Sequence, residues 1–332
     1  MKHINVALFV THRGCPHTCS FCNQRSITGF GGDLTPADVH AAVETALGSL
    51  KKEEAAGGEI AFFGGSFTMV EREYMLSLLE AAYGYVKEGL FAGIRISTRP
   101  DGINDEICGI LRSYGVTAVE LGAQSLDDRV LELNERGHTA KQVEDACKMI
   151  KAYGFELGLQ MMTGLYGSGD EDSIETAEKI ITLRPATVRI YPTVVLRGTK
   201  LDELMKAGIF TPKGVEETAE LCARLIVMFE QAGIKVIRVG LHSGGDVEKE
   251  KTGGAYHPAL REICESRIYR RAALEELEKH PAGEYELIVS QGAVAKAAGQ
   301  KRENIVFLEE NGYRIKKIIQ DANTGKYEVK VR

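Results

Sequence analysis

The chain has 332 residues, 44% of them apolar and 27% charged, with a formal net charge of −6. These are ordinary values for a soluble globular protein with a sizeable core, of one large domain or one domain plus a small appendage. No run of about 18 apolar residues exists, so no membrane span is expected, and the acidic balance makes no global electrostatic case for nucleic acid, although a local basic patch can hide inside it.

The first predicted element is the strand "INVALFV" (4–10). Its apolar run lacks a small-residue cleavage site, so it reads as a buried strand and not a signal peptide, with the cytoplasm as the default location. "RGCPHTCSFCNQ" (13–24) follows directly and sets Cys15, Cys19 and Cys22 in a C-x3-C-x2-C spacing. A helix is expected in "LTPADVHAAVETALGSL", with Thr35 as N-cap and Pro36 at its first position. Strands are then expected at 59–63, 93–97, 116–121, 156–161, 187–191 and 235–239. Helical patterns such as "DSIETAEKIITL" and "GVEETAELCARLIVMFEQAG", the latter stopping at Gly233, fall between them.

Strands separated by helices imply right-handed βαβ units and a parallel sheet. Six or seven units are too few for a closed eight-fold barrel, so the expected fold is α/β, a partial (β/α)6-type barrel with its function at the carboxyl ends of the strands. After about residue 245, "HSGGDVEKEKTGGAYHP" reads as an irregular loop and "PALREICESRIYRRAALEELEKH" as helix. The tail reads strand, helix, turn, helix, strand, strand. The expected domains are 1–270 and a small α+β domain at 271–332.

Several stretches at strand ends carry polar chemistry. "FFGGSFT" (62–68) places Gly64 and Gly65 where backbone can approach a ligand. "ISTRPDGI" (96–103) places Ser97, Thr98 and Arg99 at a strand terminus, where Arg99 suits a carboxylate. "VELGAQSLDDRVLELNERGHT" (119–139) puts Glu120 inside an apolar strand, and a buried carboxylate needs partners. Gln124 and Ser125 follow that strand, and Arg136, Gly137 and His138 follow a short helix. Clustered cysteines in a cytosolic setting point to metal or redox chemistry before disulfides. Three thiolates do not complete the usual tetrahedral zinc site, but they can hold three irons of a [4Fe–4S] cluster and leave the fourth open to a small molecule, the bland alternative being unconnected thiols. His12 or His17 as a fourth ligand would instead make a zinc site. Cys108, Cys147, Cys222 and Cys264 are scattered and read as core residues.

The cysteine spacing at the end of a first strand, with Phe21 just before the last cysteine, resembles the radical S-adenosylmethionine (SAM) superfamily. The segment 119–139, with "LQMMTGLYG", "RIYPTVVLRGTKL" and "GGAYHPALRE", resembles the radical SAM domain of the elongator catalytic-subunit family over about residues 5–265. "GAQS" is similar to a stretch of oxygen-independent coproporphyrinogen oxidase. The resemblance implies that Cys15, Cys19 and Cys22 bind the cluster, whose open iron chelates SAM. It implies a SAM pocket at Phe21, Gly64, Gly65, Ser66, Ser97, Arg99, Gln124, Arg136, Gln160 and Tyr191, with Met161 and Arg189 beside them, and catalytic roles for Glu120 and Gln124. Ser66 stands where the superfamily carries an acidic residue. The elongator enzymes space these cysteines more widely and carry an acetyltransferase domain, for which the residues after 270 are too few, so their acetyl-dependent wobble-uridine chemistry is not implied.

"VAKAAGQKRENIVFLEENGYRI" resembles the core of a KH domain, whose helix–GxxG–helix unit clamps a nucleic-acid backbone. Gly299, Lys301 and Arg302 occupy the matching turn, with arginine in place of the second glycine. Lys296, Arg314, Lys316 and Lys317 add local positive charge. The expected function is a radical SAM enzyme modifying a tRNA or RNA base, with an external electron donor such as ferredoxin or flavodoxin. The alternatives are a radical SAM enzyme acting on a small molecule such as a tetrapyrrole, and a non-catalytic cluster or zinc protein that binds RNA.

Overall fold

The computed structural model describes residues 4–10, 13–16, 18–23, 26–27, 32–241 and 246–332; His12 and His17, the alternative fourth ligands, lie outside the described residues. In chain order the first eight strands are β1 (Asn5–Val10), β2 (Glu59–Gly64), β3 (Gly93–Thr98), β4 (Val116–Gln124), β5 (Glu156–Thr163), β6 (Thr187–Pro192), β7 (Val194–Leu196) and β8 (Lys235–Val239). All but β7 form one parallel sheet in the order β1-β2-β3-β4-β5-β6-β8. β1 and β8 are the edges, so the curled sheet is a partial barrel with helices on its outer face.

The two faces of the sheet differ in chemistry because side chains alternate along a strand. Ile94 and Ile96 of β3, Val119 and Leu121 of β4, Leu157, Leu159 and Met161 of β5, and Val188 and Ile190 of β6 join the core under the helices. The intervening residues, among them Arg95, Ser97, Glu120, Gln160, Arg189 and Tyr191, take the other face. Among the helices, Pro36–Ser49 starts as the sequence dictates: the Asp38 N–H donates to Thr35 Oγ1 at 3.3 Å and the Thr35 N–H to Asp38 Oδ2 at 2.8 Å, with Pro36 leading the first turn. The helix Val215–Gln231 buries Ala219, Cys222, Ile226 and Phe229, a stripe at helical spacing.

The segment expected to be irregular holds a short helix, Val247–Glu250, and a strand, β9 (Lys251–Gly254), that pairs antiparallel with β7. Its glycines signal a loop, but Gly254 serves the pairing: it sits at φ +85°, and a Cβ there would lie 2.4 Å from Thr193 O. Beyond the helix Leu260–Leu277, β10 (Gly283–Val289) is the centre of a three-stranded sheet, with β11 (Tyr313–Gln320) parallel on one side and β12 (Val329–Val331) antiparallel on the other. The helices Val294–Ala298 and Glu303–Glu310 connect β10 to β11. Ile263, Cys264 and Ile268 of the long helix belong to the large core, while Tyr269, Ala273 and Leu277 belong to the small one. The two cores thus meet inside that helix. Among the described residues no helix is long and apolar enough to cross a membrane.

The cysteine loop is seated on the loop after β2. The Ser66 N–H donates to Arg13 O at 3.0 Å and the Gly65 N–H to Val10 O at 2.7 Å. Gly14 lies at φ +73°, where a Cβ would fall 2.1 Å from Ser66 O and 2.9 Å from Val70 N, both backbone atoms that cannot rotate away. Gly14→Ala is expected to destabilise the protein by about 1–3 kcal/mol, read as a lowered urea midpoint; an unmoved midpoint would mean that the loops do not approach so closely.

Candidate active site

A cavity of about 260 Å³ opens at the carboxyl ends of the strands. Cys15, Cys19, Phe21 and Cys22 border it from the cysteine loop, and Phe9, Phe63, Gly64 and Gly65 from the ends of β1 and β2. Ser97, Thr98 and Arg99 border it from β3, Gly122 and Gln124 from β4, Gln160 and Met162 from β5, and Arg189 and Tyr191 from β6. Arg136 reaches it from the loop after the helix Asp128–Leu133. Val194, Leu196 and Leu241 form an apolar wall.

Three of the expected site residues lie behind this surface. Met161 is fully buried on the helix-facing side and Met162 takes the place expected of it, as strand alternation requires once Gln160 faces the cavity. Ser66 is fully buried as well; its hydroxyl pairs with Thr98 Oγ1 at 2.8 Å and accepts the Arg99 N–H at 3.2 Å, tying the ends of β2 and β3 together. Glu120 is 1% exposed and does not border the cavity. Phe9, Phe63 and the wall residues were not anticipated. The pairing of Phe9 with Phe63 across β1 and β2 was readable in principle from two strands that each carry a phenylalanine next to their last residue.

The cysteine loop is held from three directions. The Ser20 N–H donates to Asn134 O at 3.1 Å, the Ser20 hydroxyl to Asn134 Oδ1 at 2.9 Å, and the Leu201 N–H to Ser20 O at 2.9 Å. The Arg136 guanidinium donates through Nη2 to Gly122 O at 2.6 Å and through Nη1 to Cys19 Sγ at 3.4 Å. Its own carbonyl accepts from Arg99 Nη1 at 2.8 Å, and Arg99 is in turn held by Asp101 at 2.9 and 2.8 Å. Arg136 is 7% exposed, and among the described residues no carboxylate pairs with it and nothing accepts from its Nε. Burial raises the Cys15 thiol above its ordinary pKa, with the charge of Arg136 opposing that rise.

These residues fit a thiolate-bound cluster with an amino-acid-like cofactor. A buried cation without a carboxylate calls for an anionic partner, and Arg136 borders the cavity while bridging Cys19 Sγ and Gly122 O. Among the described residues no three Cys, His, Asp or Glu side chains converge as ligands of a single ion must. The three thiols all border one cavity, and thiolates are the ligands that a [4Fe–4S] cluster takes.

The end of β4 is irregular. The register shifts between Gly122 and Gln124, and Gln124 takes φ 66°, a left-handed backbone unusual outside glycine. The bulge turns Gln124 into the cavity, where its buried Oε1 has no donor among the described residues. The carbonyls on either side of the bulge are claimed by Arg136, at Gly122, and by His138, whose Nε2 donates to Ala123 O at 3.2 Å. His138 is 5% exposed. Burial first, then the charges of Arg136 and Arg99, hold its pKa down at about 3, so its ring is neutral.

Glu120 is the hub of an ion-pair chain on the inner face of the sheet. Arg189 grips it with two bonds, Nε to Oε2 at 2.6 Å and Nη2 to Oε1 at 2.9 Å. Gln160 Nε2 donates to Oε2 at 3.2 Å and Arg95 Nη1 to Oε1 at 3.4 Å. Arg95 continues to Glu59 at 2.7 Å and Glu156 at 2.8 Å. Gly158 makes room for this: a Cβ there would lie 2.8 Å from Glu120 Cγ. Arg189 also stacks on the Phe63 ring, 5.0 Å from its centroid. Burial raises the Tyr191 phenol and the charge of Arg189 opposes that rise, so the tyrosine stays protonated at neutral pH. With both its oxygens engaged, Glu120 acts on the cavity through Arg189 and Gln160.

In the small domain, Gly299, Lys301 and Arg302 lie in a turn far along the chain from the cavity residues, with φ of 77°, 49° and 66°. Lys296 pairs with the buried Glu265, and Arg314 and Lys316 both pair with Glu284. Among the described residues Lys301, Arg302 and Lys317 have no ion pair. Cys108 and Cys147, buried in the core, are pushed up to about 11 and about 12, and among the described residues no disulfide joins any of the seven cysteines.

The family model described as the radical SAM superfamily matches residues 9–180, and that described as the Radical_SAM C-terminal domain matches residues 185–270. Elongator complex protein 3 of Homo sapiens is 30% identical over 190 residues, which cover 51% of this chain and 35% of the human protein. The tRNA uridine(34) acetyltransferase of Dehalococcoides mccartyi is 32% identical over 179 residues, covering 46% of this chain and 38% of that protein. The corresponding protein of Methanocaldococcus infernus is 35% identical over 129 residues, covering 38% and 24%. The chain thus spans little more than a third of the length of the first curated relatives it matches. The solved structure of Methanocaldococcus infernus Elp3 with an N-terminal deletion superposes with a TM-score of 0.66 at 21% identity, covering 81% of this chain and 63% of that one, a likeness of fold.

Two measurements probe the site. Glu120→Gln leaves Arg189 and Arg95 short of a buried counter-charge and should cost about 3–5 kcal/mol; Glu120→Gln combined with Arg189→Met should recover part of it, and strictly additive losses would show that the two do not interact. The unfolded chain binds a proton at His138 below about pH 6.5, whereas the native state does not until about pH 3. Stability is therefore full above pH 6.5 and lost as pH falls, by about 1.4 kcal/mol at pH 5.5. His138→Gln should lose less between pH 7.5 and 5.5 by about that amount in urea titrations; parallel losses would mean that the imidazole is not held neutral.

Proposed function

Because this chain belongs to the radical SAM superfamily, we propose that it is a radical SAM enzyme acting on tRNA, with Cys15, Cys19 and Cys22 as the ligands of its [4Fe–4S] cluster. The superfamily's cofactors are that cluster and SAM, and together they supply a 5′-deoxyadenosyl radical by reductive cleavage of SAM. The observation that carries the reading is the common cavity: three thiols, the backbone of Gly64 and Gly65, and the polar ends of β3 to β6 all border one space.

The chain's own residues bind, orient and enclose. Gly64 and Gly65 expose backbone to the cofactor's amino group, and Ser97, Arg99, Gln124 and Arg136 offer hydrogen bonds to its charged and polar parts. Phe21 shields the cluster side, since it packs with Tyr166 and Phe210 behind the loop. Glu120 is a positioning residue that sets Arg189 and Gln160. Tyr191 and the wall of Val194 and Leu196 face the substrate and exclude water. The remaining cysteines are buried in the core, so electrons come from an external one-electron donor such as ferredoxin or flavodoxin.

The tRNA assignment draws on the names of the relatives, several of which are tRNA uridine(34) acetyltransferases. It draws also on the turn at Gly299, where Lys301 and Arg302 are cations free to meet phosphates. The acetyltransferase activity in those relatives' names is not carried over to this chain, since the matched segments cover 38% of their length or less.

Anaerobic iron–sulfur reconstitution followed by dithionite and SAM should release 5′-deoxyadenosine, seen by chromatography, and bulk tRNA should raise its yield. Cys15→Ala, Cys19→Ala and Cys22→Ala should each abolish both cluster and product. Product that persists in the triple variant would overturn the ligand assignment, and a yield indifferent to tRNA would overturn the substrate.

A further inference from the structure

We infer that Arg136 raises the reduction potential of the cluster by donating an N–H···S hydrogen bond, with its positive charge, to Cys19. This rests on the reading of Cys15, Cys19 and Cys22 as cluster ligands. Among the described residues three cations border the cavity: Arg99, Arg136 and Arg189. Arg99 is neutralised by Asp101 and Arg189 by Glu120. Among the described residues Arg136 alone of the three has no carboxylate, and it is the one in contact with a cysteine sulfur, at 3.4 Å.

Its position is built and not incidental. Nη2 is fixed by Gly122 O at 2.6 Å and the backbone of the residue by Arg99 at 2.8 Å, so Nη1 is held on Cys19 from two sides. At 7% exposure the guanidinium is poorly screened by water. One-electron reduction adds a negative charge to a group already made anionic by its thiolates. A fixed neighbouring cation and a hydrogen bond to the ligating sulfur stabilise the reduced form more than the oxidised one, and the potential rises. Nε is buried without an acceptor among the described residues, so the bonds to Gly122 and Cys19 use the two terminal nitrogens alone.

The test is a dye-mediated potentiometric titration of the anaerobically reconstituted protein without SAM, followed by electron paramagnetic resonance, with iron and sulfide counted in each variant. Arg136→Gln should move the midpoint to more negative potential. Arg136→Lys keeps the charge but loses the fork that reaches Gly122 and Cys19 together, and should fall between Arg136→Gln and the parent. Arg129→Gln, which removes an exposed arginine of the helix Asp128–Leu133, should leave the midpoint in place. A parent-like midpoint in Arg136→Gln, or in Arg136→Lys should the glutamine variant hold no cluster, would overturn the inference while leaving the ligand assignment intact. A parent protein that takes up no cluster would overturn both.

Discussion

A carboxylate inside a parallel sheet has to be neutralised where it stands, and Glu120 imposes that demand on three other strands. Arg95 answers from β3, Gln160 from β5 and Arg189 from β6; Gly158 is glycine because a larger residue would occupy the space of the carboxylate. Each partner lies on an adjacent strand or the next one, so the ion pairs lock the relative heights of the strands as well as the charges. The chain of pairs begins near the amino ends, at Glu59 and Glu156, and ends at the cavity with Arg189. Replacing such a network by apolar residues is often neutral for stability. What the network provides here is orientation: it delivers a guanidinium and an amide to the floor of the site with little freedom left.

The upper half of the site follows a different rule. The cysteine loop has few apolar anchors of its own and is held by backbone contacts to the β2 loop, Asn134 and Leu201. Such a seat tolerates no added side chain at Gly14, and at Gly65 a Cβ would fall 2.2 Å from Arg13 O. The bulge at Gln124 serves the same end, giving up regular pairing to aim one side chain inward while Arg136 and His138 take the carbonyls beside it. The left-handed backbone at Gly64 and Gln124 therefore coincides with the border of the cavity.

The order of strands and helices was legible because the barrel strands are short, β-branched and punctuated by caps such as Thr35–Pro36 and stops such as Gly233. That Cys15, Cys19 and Cys22 and the glycines Gly64 and Gly65 would border one cavity was legible because all follow directly on, or end, neighbouring strands. Glu120 stood out as a charge in an apolar run, but its role did not: that a buried carboxylate is saturated by arginines on strands 25 residues before and 69 residues after it is a fact of register. The exchange of Met161 for Met162 was a parity that only the facing of Gln160 decides. β9 stayed hidden because its glycines, Gly254 close against Thr193 and Val194 and Gly253 against Met205 and Pro212, carry the same signal as a loop.

The helix Leu260–Leu277 bears a consequence of its own. Its 18 residues close the large core with Ile263, Cys264 and Ile268 and the small core with Tyr269, Ala273 and Leu277, and Glu265 reaches from it to Lys296 and Tyr327. Neither core can melt without stripping a face from the other, so the two share one cooperative unit. By mass action, occupancy of the small domain by any ligand that binds only its folded form adds to the work of opening the barrel. Stability of the tail and integrity of the cavity-bearing sheet are thereby joined through a common mechanical part, with no signal passing between them.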